Sequence, residues 1–146
     1  MKPLSICIPT WNRADVLSRC LSNVVPQARE HGLPIYISDN ASTDNTAEVV
    51  AAWQERYKRI FYKRNDTNIL DMNFPAVLRM SESRYSWLLA DAELLEPGAI
   101  TTVLEIIKSG DHDLIVVSGK IGRHGICVKG IESKVYLNRN ELMADL

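Results

Sequence analysis

Short apolar runs alternate with longer amphipathic runs along most of this chain, and this alternation constrains the fold more than any other feature. Five runs have the length of strands, and the segments between them place apolar residues at helical spacing. The strand runs are residues 4–9, 34–38, 60–62, 85–90 and 113–117. Strands that alternate with helices predict an α/β fold, with a mostly parallel, doubly wound sheet and helices on both faces.

The helices are predicted from apolar stripes together with residues that favour helix ends. The first starts at Ala14 and frays between Pro26 and Gly32, and the second reaches about Tyr57. The others run from a cap at residue 71 or 73 to about 80, and from a cap at 96 to 109, with a buried stripe at 100, 103, 104 and 107. Residues 121–137 favour a hairpin, and residues 138–146 read as a helix that is cut short.

Composition narrows the class of protein. The chain has 146 residues, which suits one domain, and its formal net charge of -1 gives no basic footprint for nucleic acid or an anionic membrane. The three cysteines, Cys7, Cys20 and Cys127, are too far apart for a zinc site and are read as small buried side chains in a reducing compartment. With neither a signal peptide nor a membrane span in its sequence, the chain is expected to be cytoplasmic.

Polar residues follow three of the predicted strands. Residues 10–13 come after the first strand, Asp39 closes the second, and Asp91 and Glu93 follow the run 85–90, which is expected to be a buried strand. In an open α/β sheet, ligands collect beyond the carboxyl ends of the strands, so these side chains should share one cleft. The first turn is Pro-Thr-Trp-Asn-Arg and lacks the glycines of a dinucleotide or P-loop site.

Three motifs taken in register resemble a family 2 glycosyltransferase of the Rossmann-like GT-A fold. They are LSICIPTWNR at 4–13, ISDNASTD at 37–44 and WLLADAELLEPG at 87–98. The resemblance implies transfer of a sugar, with inversion, from a UDP- or GDP-linked donor to a saccharide or lipid-linked acceptor. It also implies Mg2+ or Mn2+ near the acidic motif and a role in cell-surface polysaccharide biosynthesis.

The resemblance assigns roles to individual residues. Pro9 and Thr10 match the first nucleotide contacts, partly through the main chain, with Asn12 and Arg13 alongside. Asp39 matches the acid that reads the nucleobase.

The remaining matches concern the nucleotide pocket and the metal. Asp71 and Asn73 fall where the family often has a polar pair lining the pocket. Asp91 matches the first acid of a D-x-D motif, near the ribose and the metal, and Glu93 matches its last acid, a metal ligand.

The chain departs from the family pattern at several positions. Ala92 replaces a frequent aspartate, Glu93 is one methylene longer than aspartate, and Leu70 replaces a loop glycine. An inverting transfer needs a carboxylate that takes the acceptor's proton. No catalytic base is assigned, because nothing singles out one of the three late acids Glu132, Glu141 and Asp145.

Other readings of the same residues remain open. Asp39 can be a plain turn residue, and Asp91 with Glu93 can be acids that favour a helix N-terminus. The chain is expected to be one nucleotide-sugar-binding domain, with a core over residues 1–118 and the start of an incomplete acceptor-side region over 119–146. A binding or regulatory module without transferase activity, and a domain without a small ligand, are the alternatives. An apolar surface left by a missing half could make the chain a homo-oligomer.

Overall fold

A computed structural model describes residues 1–117, together with the backbone of residues 119–122 and 125–128. The described strands are β1 Leu4–Thr10, β2 Ile35–Asp39, β3 Ile60–Arg64, β4 Tyr85–Leu88, β5 Leu94–Leu95, β6 Gly119–Gly122 and β7 Gly125–Val128. The described helices are α1 Ala14–His31, α2 Thr46–Arg56, α3 Asn73–Leu78 and α4 Ala99–Ser109, and a short 3-10 turn covers Leu70–Met72.

The main sheet has four strands in the order β3-β2-β1-β4, and all three pairings are parallel. β1 therefore lies in the middle of the sheet, and all seven of its residues are buried. Because the strands are parallel, their carboxyl ends lie at one edge of the sheet. Thr10 pairs in register with Asp39 at this edge, and Asp39 pairs with Arg64.

Helices cover both faces of this sheet, as the alternation of strands and helices predicts. Residues Ile6 and Ile8 of β1 belong to a core cluster that includes the buried stripes of α1 and α4. Cys7, between them, contacts the opposite cluster, which contains Val77 of α3. This alternation follows from the two-residue period of side chains along a strand. The α/β class with a doubly wound, parallel sheet is confirmed.

Two prolines lie inside regular elements, although Pro9 was expected to end β1 and Pro26 to mark the start of the frayed end of α1. β1 continues through Pro9 to Thr10, and α1 continues through Pro26 to His31. The amide of Ile6 points toward β2, so the nitrogen of Pro9 points toward β4, whose ladder with β1 has already ended at Leu88. In α1, buried residues on both sides of Pro26 hold the helix against the core, and this packing outweighs one lost hydrogen bond.

Helices α3 and α4 begin differently from the sequence prediction. Neither Asp71 nor Asn73 makes a side-chain cap for α3, which ends at Leu78. α4 begins at Ala99 rather than at Pro97, because Gly98 adopts a left-handed φ of 83° that residues other than glycine rarely adopt. The predicted buried stripe of α4 is confirmed.

Residues 85–90 and 113–117 were each expected to form a buried strand, and neither does. β4 ends at Leu88 and its residues alternate between half-buried and exposed, because in the described structure it is an edge strand. Residues 113–117 form no strand. The residue just before this segment contacts β4 without strand pairing: the Tyr85 hydroxyl donates to the backbone carbonyl of His112 at 2.5 Å. A cavity of about 1060 Å³ lies between β4 and residues 111–117.

A second, three-stranded sheet follows the acidic motif. β5 pairs with β7 in parallel, and β7 pairs with β6 in antiparallel orientation. The β6–β7 pair is the hairpin that the glycine-rich sequence predicts. The rest of the predicted hairpin region and the predicted helix at 138–146 lie outside the described residues.

Candidate functional site

The polar residues that follow β1, β2 and β4 meet at the carboxyl edge of the main sheet. The Thr10 hydroxyl donates to Oδ2 of Asp91 at 2.9 Å. The amide of Asn40, directly after Asp39, donates to the carbonyl oxygen of Thr10 at 2.9 Å. Pro9 lies one residue below this edge and pairs in register with Ser38. The polar residues that follow these strands are therefore close together at one edge of the sheet.

Asp91 is the centre of this edge. Its Oδ1 accepts a hydrogen bond from Nη1 of Arg13 at 2.8 Å, while Oδ2 holds Thr10. The Asp91 side chain is 6% exposed, whereas that of Arg13 is 51% exposed. Burial raises the pKa of Asp91, and the hydrogen bonds from Thr10 and Arg13 only partly oppose this shift. A cation near Asp91 favours the charged carboxylate, and Arg13 supplies one.

Asp39 is completely buried, with 0% of its side chain exposed. Its Oδ1 accepts the amide of Ser42 at 2.9 Å, and its Oδ2 accepts the Tyr62 hydroxyl at 2.6 Å. Nε of Arg64 lies 3.9 Å from Oδ2. Burial raises the pKa of Tyr62, and the hydrogen bond to Asp39 raises it further, so this phenol remains a proton donor. A ligand can reach Asp39 only if one of these covering groups moves.

Asn12 joins the loop after β1 to the loop after β2. Its amide donates to Oγ of Ser42 at 2.8 Å, and its side-chain oxygen accepts the amide of Thr43 at 2.7 Å. Asn12 has a left-handed φ of 50°, a conformation that asparagine tolerates better than most residues. Trp11, beside it, is 50% exposed at the rim. The side chain of Asn12 is therefore engaged in holding the two loops together.

Asp44 is a second bridge between the same loops. Its Oδ2 accepts the amide of Ala14, the first residue of α1, at 3.0 Å. Its Oδ1 accepts the amide and the hydroxyl of Thr46, the first residue of α2, at 3.1 and 2.6 Å. One carboxylate thus satisfies the N-terminal amides of two helices, one of them 30 residues away in sequence.

Replacing Asp44 with alanine is expected to lower the free energy of unfolding by about 1–3 kcal/mol, because each lost cap costs roughly 0.5–2 kcal/mol. Burial tends to raise the pKa of Asp44, but the hydrogen bonds from Thr46 and Ala14 outweigh it and lower the pKa. The stabilisation is therefore present above the ordinary aspartate pKa and is lost as the pH falls through the lowered value.

Urea unfolding at pH 7 and at about pH 2.5 measures this contribution. The matched control is Glu105→Ala, which removes an exposed acid from α4. An Asp44→Ala protein as stable as the control at pH 7 would contradict the bridging role.

Asp71 and Asn73, which the sequence predicts as a polar pair lining the pocket, differ in their burial and contacts. Asp71 is exposed on the 3-10 turn, whereas Asn73 is buried. The Nδ2 of Asn73 donates to the carbonyl of Ser38 at 2.9 Å, and its Oδ1 accepts the Ser38 hydroxyl at 2.6 Å and Nδ2 of Asn65 at 3.0 Å. Of the predicted pair, only Asn73 is joined to the end of β2, where it fixes the loop that follows β3.

Leu70, at a position where the family often has glycine, adopts a φ of 52° and is 75% exposed. The side chain of Asn40 donates to the carbonyl of Leu70 at 3.3 Å, and Oδ1 of Asn68 accepts its amide at 2.8 Å. These bonds hold a left-handed conformation that glycine adopts without strain. The backbone shape expected of glycine is thus kept without glycine.

Glu93 lies at the far side of the same edge. Its Oε2 accepts the amide of Ala90 at 3.0 Å, and its own amide donates to the carbonyl of Ala90 at 3.0 Å. Glu93 also lines the cavity beside β4.

Burial, with the negative charges of Asp91 and Glu93, raises the pKa of Cys20 to about 12, so this thiol is not a nucleophile.

Asp91 and Glu93 match the chemistry of a hard divalent cation, which prefers carboxylate oxygens. Among the described residues no group of three or more His, Cys, Asp or Glu side chains could hold a metal ion by itself. Mg2+ is commonly held by one or two carboxylates together with substrate phosphates, so two acids meet that requirement. The oxygen chemistry of the two acids suits such an ion, and because both oxygens of Asp91 accept hydrogen bonds from Thr10 and Arg13, a cation would have to displace Arg13.

Several residues of the edge were missed by sequence reasoning. They are Tyr62 and Arg64 on β3, and the bridging polar residues Ser38, Asn40, Ser42 and Asn65. The only available signal was position, because Tyr62 and Arg64 extend β3 to the same edge. In the sequence, Arg64 is one of five basic residues around β3, a pattern that is more often a solvated rim than a binding site.

The chain matches the family model described as Glycosyl transferase family 2 over residues 5–127. It therefore belongs to glycosyl transferase family 2, as the three motifs predict. Abequosyltransferase RfbV of Salmonella typhimurium is 33% identical over 109 residues, which cover 73% of this chain and 33% of that protein. Poly(ribitol-phosphate) beta-N-acetylglucosaminyltransferase TarP of Staphylococcus aureus is 28% identical over 153 residues, covering 100% of this chain and 44% of that protein.

Solved structures agree on the fold. S. aureus TarS 1-349 has a TM-score of 0.75 at 17% identity, and the likeness covers 94% of this chain and 40% of TarS. The mannosyltransferase PcManGT from Pyrobaculum calidifontis, solved in complex with GDP-Man and Mn2+, has a TM-score of 0.67 at 21% identity, covering 81% of this chain and 35% of that one. The GT-A fold predicted from the sequence is confirmed.

The match spans less than half of the length of each of these relatives. Among the described residues, no helix is both long enough and apolar enough to cross a membrane.

Proposed function

We propose that the chain provides the nucleotide-sugar-binding part of an inverting glycosyltransferase. The donor is a UDP- or GDP-linked sugar, and the acceptor is a saccharide or a lipid-linked saccharide in cell-surface polysaccharide biosynthesis. The observation that carries this proposal is the convergence of Thr10, Arg13 and Asp91 beside Asp39 at one sheet edge. Family membership and the GDP-Man and Mn2+ bound to PcManGT support it.

The nucleotide would lie along the edge from β2 to β4. The Asp39 carboxylate is a hydrogen-bond acceptor for a nucleobase or ribose at the β2 end, and Asp91 with Glu93 lies at the β4 end. Arg13 is half exposed and donates to Asp91, so its guanidinium can also reach an anionic phosphate. Pro9, Asn12 and Asn73 would act mainly by fixing the backbone beside the nucleotide, and Asp71 would contact it from the exposed 3-10 turn.

Asp91 and Glu93 would hold Mg2+ or Mn2+ in this proposal. A bound divalent cation would neutralise the two phosphates and stabilise the charge on the departing nucleoside diphosphate. The acceptor's proton needs a carboxylate base, and the candidates Glu132, Glu141 and Asp145 all lie outside the described residues. We propose further that residues 1–118 are the core of this domain, that residues 119–146 begin the acceptor side, and that the protein acts in the cytoplasm.

A binding or regulatory module that does not transfer sugar is the second candidate. It is favoured by Ala92, which stands at the middle of the acidic motif, and by Glu93, which is one methylene longer than the aspartate of a D-x-D motif. Release of sugar from a nucleotide-sugar donor that is abolished by Glu93→Ala would exclude the module.

Calorimetric titration tests the proposed site. UDP or GDP is expected to bind in the presence of Mn2+, and Asp39→Ala is expected to weaken binding by about 10-fold or more, as loss of a hydrogen bond to a charged group does. Glu105→Ala, on the exposed face of α4, is the control and should bind like the wild type. Absence of heat with both nucleotides would refute the proposal.

A further inference from the structure

The carboxylate of Asp39 has one oxygen that is fixed and one that can be released. Oδ1 accepts the amide of Ser42 within the turn that follows β2, and this turn is tied to Asn12. Oδ2 is covered by the side chains of Tyr62 and Arg64, which come from β3 at the edge of the sheet. Only the second set of contacts can open without breaking the loop structure.

The covering side chains are themselves accessible to solvent. Tyr62 is half-buried, and the side chain of Arg64 is 48% exposed, although Asp39 beneath them is fully buried. The hydroxyl of Tyr62 is the closer donor, at 2.6 Å from Oδ2, whereas Nε of Arg64 lies at 3.9 Å. A ligand group that approaches Asp39 from the cleft therefore has to replace the Tyr62 hydroxyl.

The chemistry of the replacement defines which nucleobases can make it. A carboxylate oxygen is an acceptor only, so the incoming group must be a donor. Uracil and guanine each carry a ring N–H on the base-pairing edge, whereas cytosine and adenine present there an acceptor ring nitrogen beside an amino group. A ring N–H can point straight at the carboxylate, but an acceptor ring nitrogen in the same place repels it, so uridine and guanosine nucleotides replace the phenol better than cytidine nucleotides do.

We propose that the hydroxyl of Tyr62 is a competitor for the base-reading oxygen of Asp39, and that Tyr62 thereby sets both the affinity and the base preference of the nucleotide site. The inference deepens the proposed function and rests on it. Tyr62 is a specificity-determining residue in this scheme. The hydroxyl keeps the buried carboxylate hydrogen-bonded in the free protein, and a base with a ring N–H must displace it to bind.

Tyr62→Phe removes the competitor and keeps the ring that packs against the core. UDP or GDP, whichever the wild type binds, is expected to bind about 5- to 20-fold more tightly to this variant, as the loss of one competing charge-assisted hydrogen bond predicts. CDP is expected to bind as it does to the wild type. The matched control is Tyr85→Phe, which removes a 2.5 Å hydrogen bond on β4 without touching Asp39.

The outcomes separate this inference from the function on which it rests. Failure of the wild type to bind either UDP or GDP overturns both. Binding by the wild type, with equal or weaker binding by Tyr62→Phe, overturns only the role of Tyr62. Tighter binding of UDP and CDP alike also overturns it, because selection by a ring N–H would then be absent.

A measurement on the wild-type protein tests the displacement without requiring that Tyr62→Phe folds. With tyrosines labelled at the ring carbon that bears the hydroxyl, saturation with UDP or GDP should shift the NMR signal of Tyr62, because its hydroxyl leaves a carboxylate. The signal can be assigned by comparison with Tyr36→Phe, Tyr57→Phe, Tyr85→Phe and Tyr136→Phe, which account for the other four of the five tyrosines. A Tyr62 signal that stays unchanged at saturation would contradict the displacement.

Discussion

Asp91→Ala is expected to weaken Mn2+-dependent binding of UDP or GDP by about 10- to 100-fold, which is the effect of removing a charged hydrogen-bonding group from a site. Asp91 holds both Thr10 and Arg13, so its loss frees two side chains as well as removing one carboxylate. The loss should be much smaller when EDTA replaces Mn2+, because the freed Arg13 can then pair with the phosphates.

Two controls make this result specific. Asp91→Asn keeps an acceptor oxygen but removes the charge, so it should lose the response to Mn2+ while it retains more of the metal-free affinity. Glu105→Ala should behave like the wild type in both conditions. Calorimetric titrations with and without Mn2+ measure the effect, and an unchanged Mn2+-dependent affinity in Asp91→Ala would exclude Asp91 from the metal site.

The sequence was sufficient to predict that Thr10, Arg13 and Asp91 meet at the edge, but not that Tyr62 and Arg64 of β3 lie over Asp39 there. A parallel sheet places all carboxyl ends on one side, so the polar residues that follow β1, β2 and β4 had to be neighbours. The contact of Thr10 and Arg13 with Asp91, about 80 positions later, realises that expectation. Topology alone therefore predicts long-range proximity once the strands and helices are recognised.

The same reasoning could not predict how the polar atoms pair. The hydrogen bonds of Tyr62 to Asp39, of Asn12 to Thr43 and of Asp44 to Ala14 join loops through individual atoms. No spacing rule in the sequence encodes such pairs, because they depend on where each loop turns. Asp44 reads locally as a cap for the helix that follows it, and only the fold reveals that it also caps α1.

The sequence also could not predict whether a strand lies at the centre or at the edge of the sheet. The run that contains β4 is as apolar as a central strand, yet in the described structure its outer side faces a cavity rather than another strand. An apolar run indicates that a strand is to be covered, but it does not indicate what covers it. The absence of a strand at residues 113–117 follows from the same ambiguity, because pairing needs a partner edge as well as a suitable sequence.

Ile37→Ala, which shortens a buried side chain of the central sheet, is expected to give the largest loss of stability. Ile37 lies on β2 between β1 and β3, is 0% exposed and belongs to the main core cluster. Replacing a fully buried isoleucine with alanine removes three carbons and leaves a cavity, which costs about 2–5 kcal/mol. A loss of this size is a large share of the roughly 5–15 kcal/mol that stabilises a typical domain.

Phe61→Ala on the neighbouring strand is the matched control for Ile37→Ala. Phe61 is a larger side chain, but it is 46% exposed and stacks on Tyr36 with a ring distance of 5.1 Å. An aromatic pair of this kind contributes about 0.5–1.5 kcal/mol beyond its buried area, so Phe61→Ala should cost clearly less than Ile37→Ala. Urea unfolding followed by circular dichroism ranks the two variants. A larger loss of stability in Phe61→Ala than in Ile37→Ala would contradict the position of Ile37 in the main core. The placement of Asp39 and Thr10, at the ends of the strands that form this core, would then be in doubt as well.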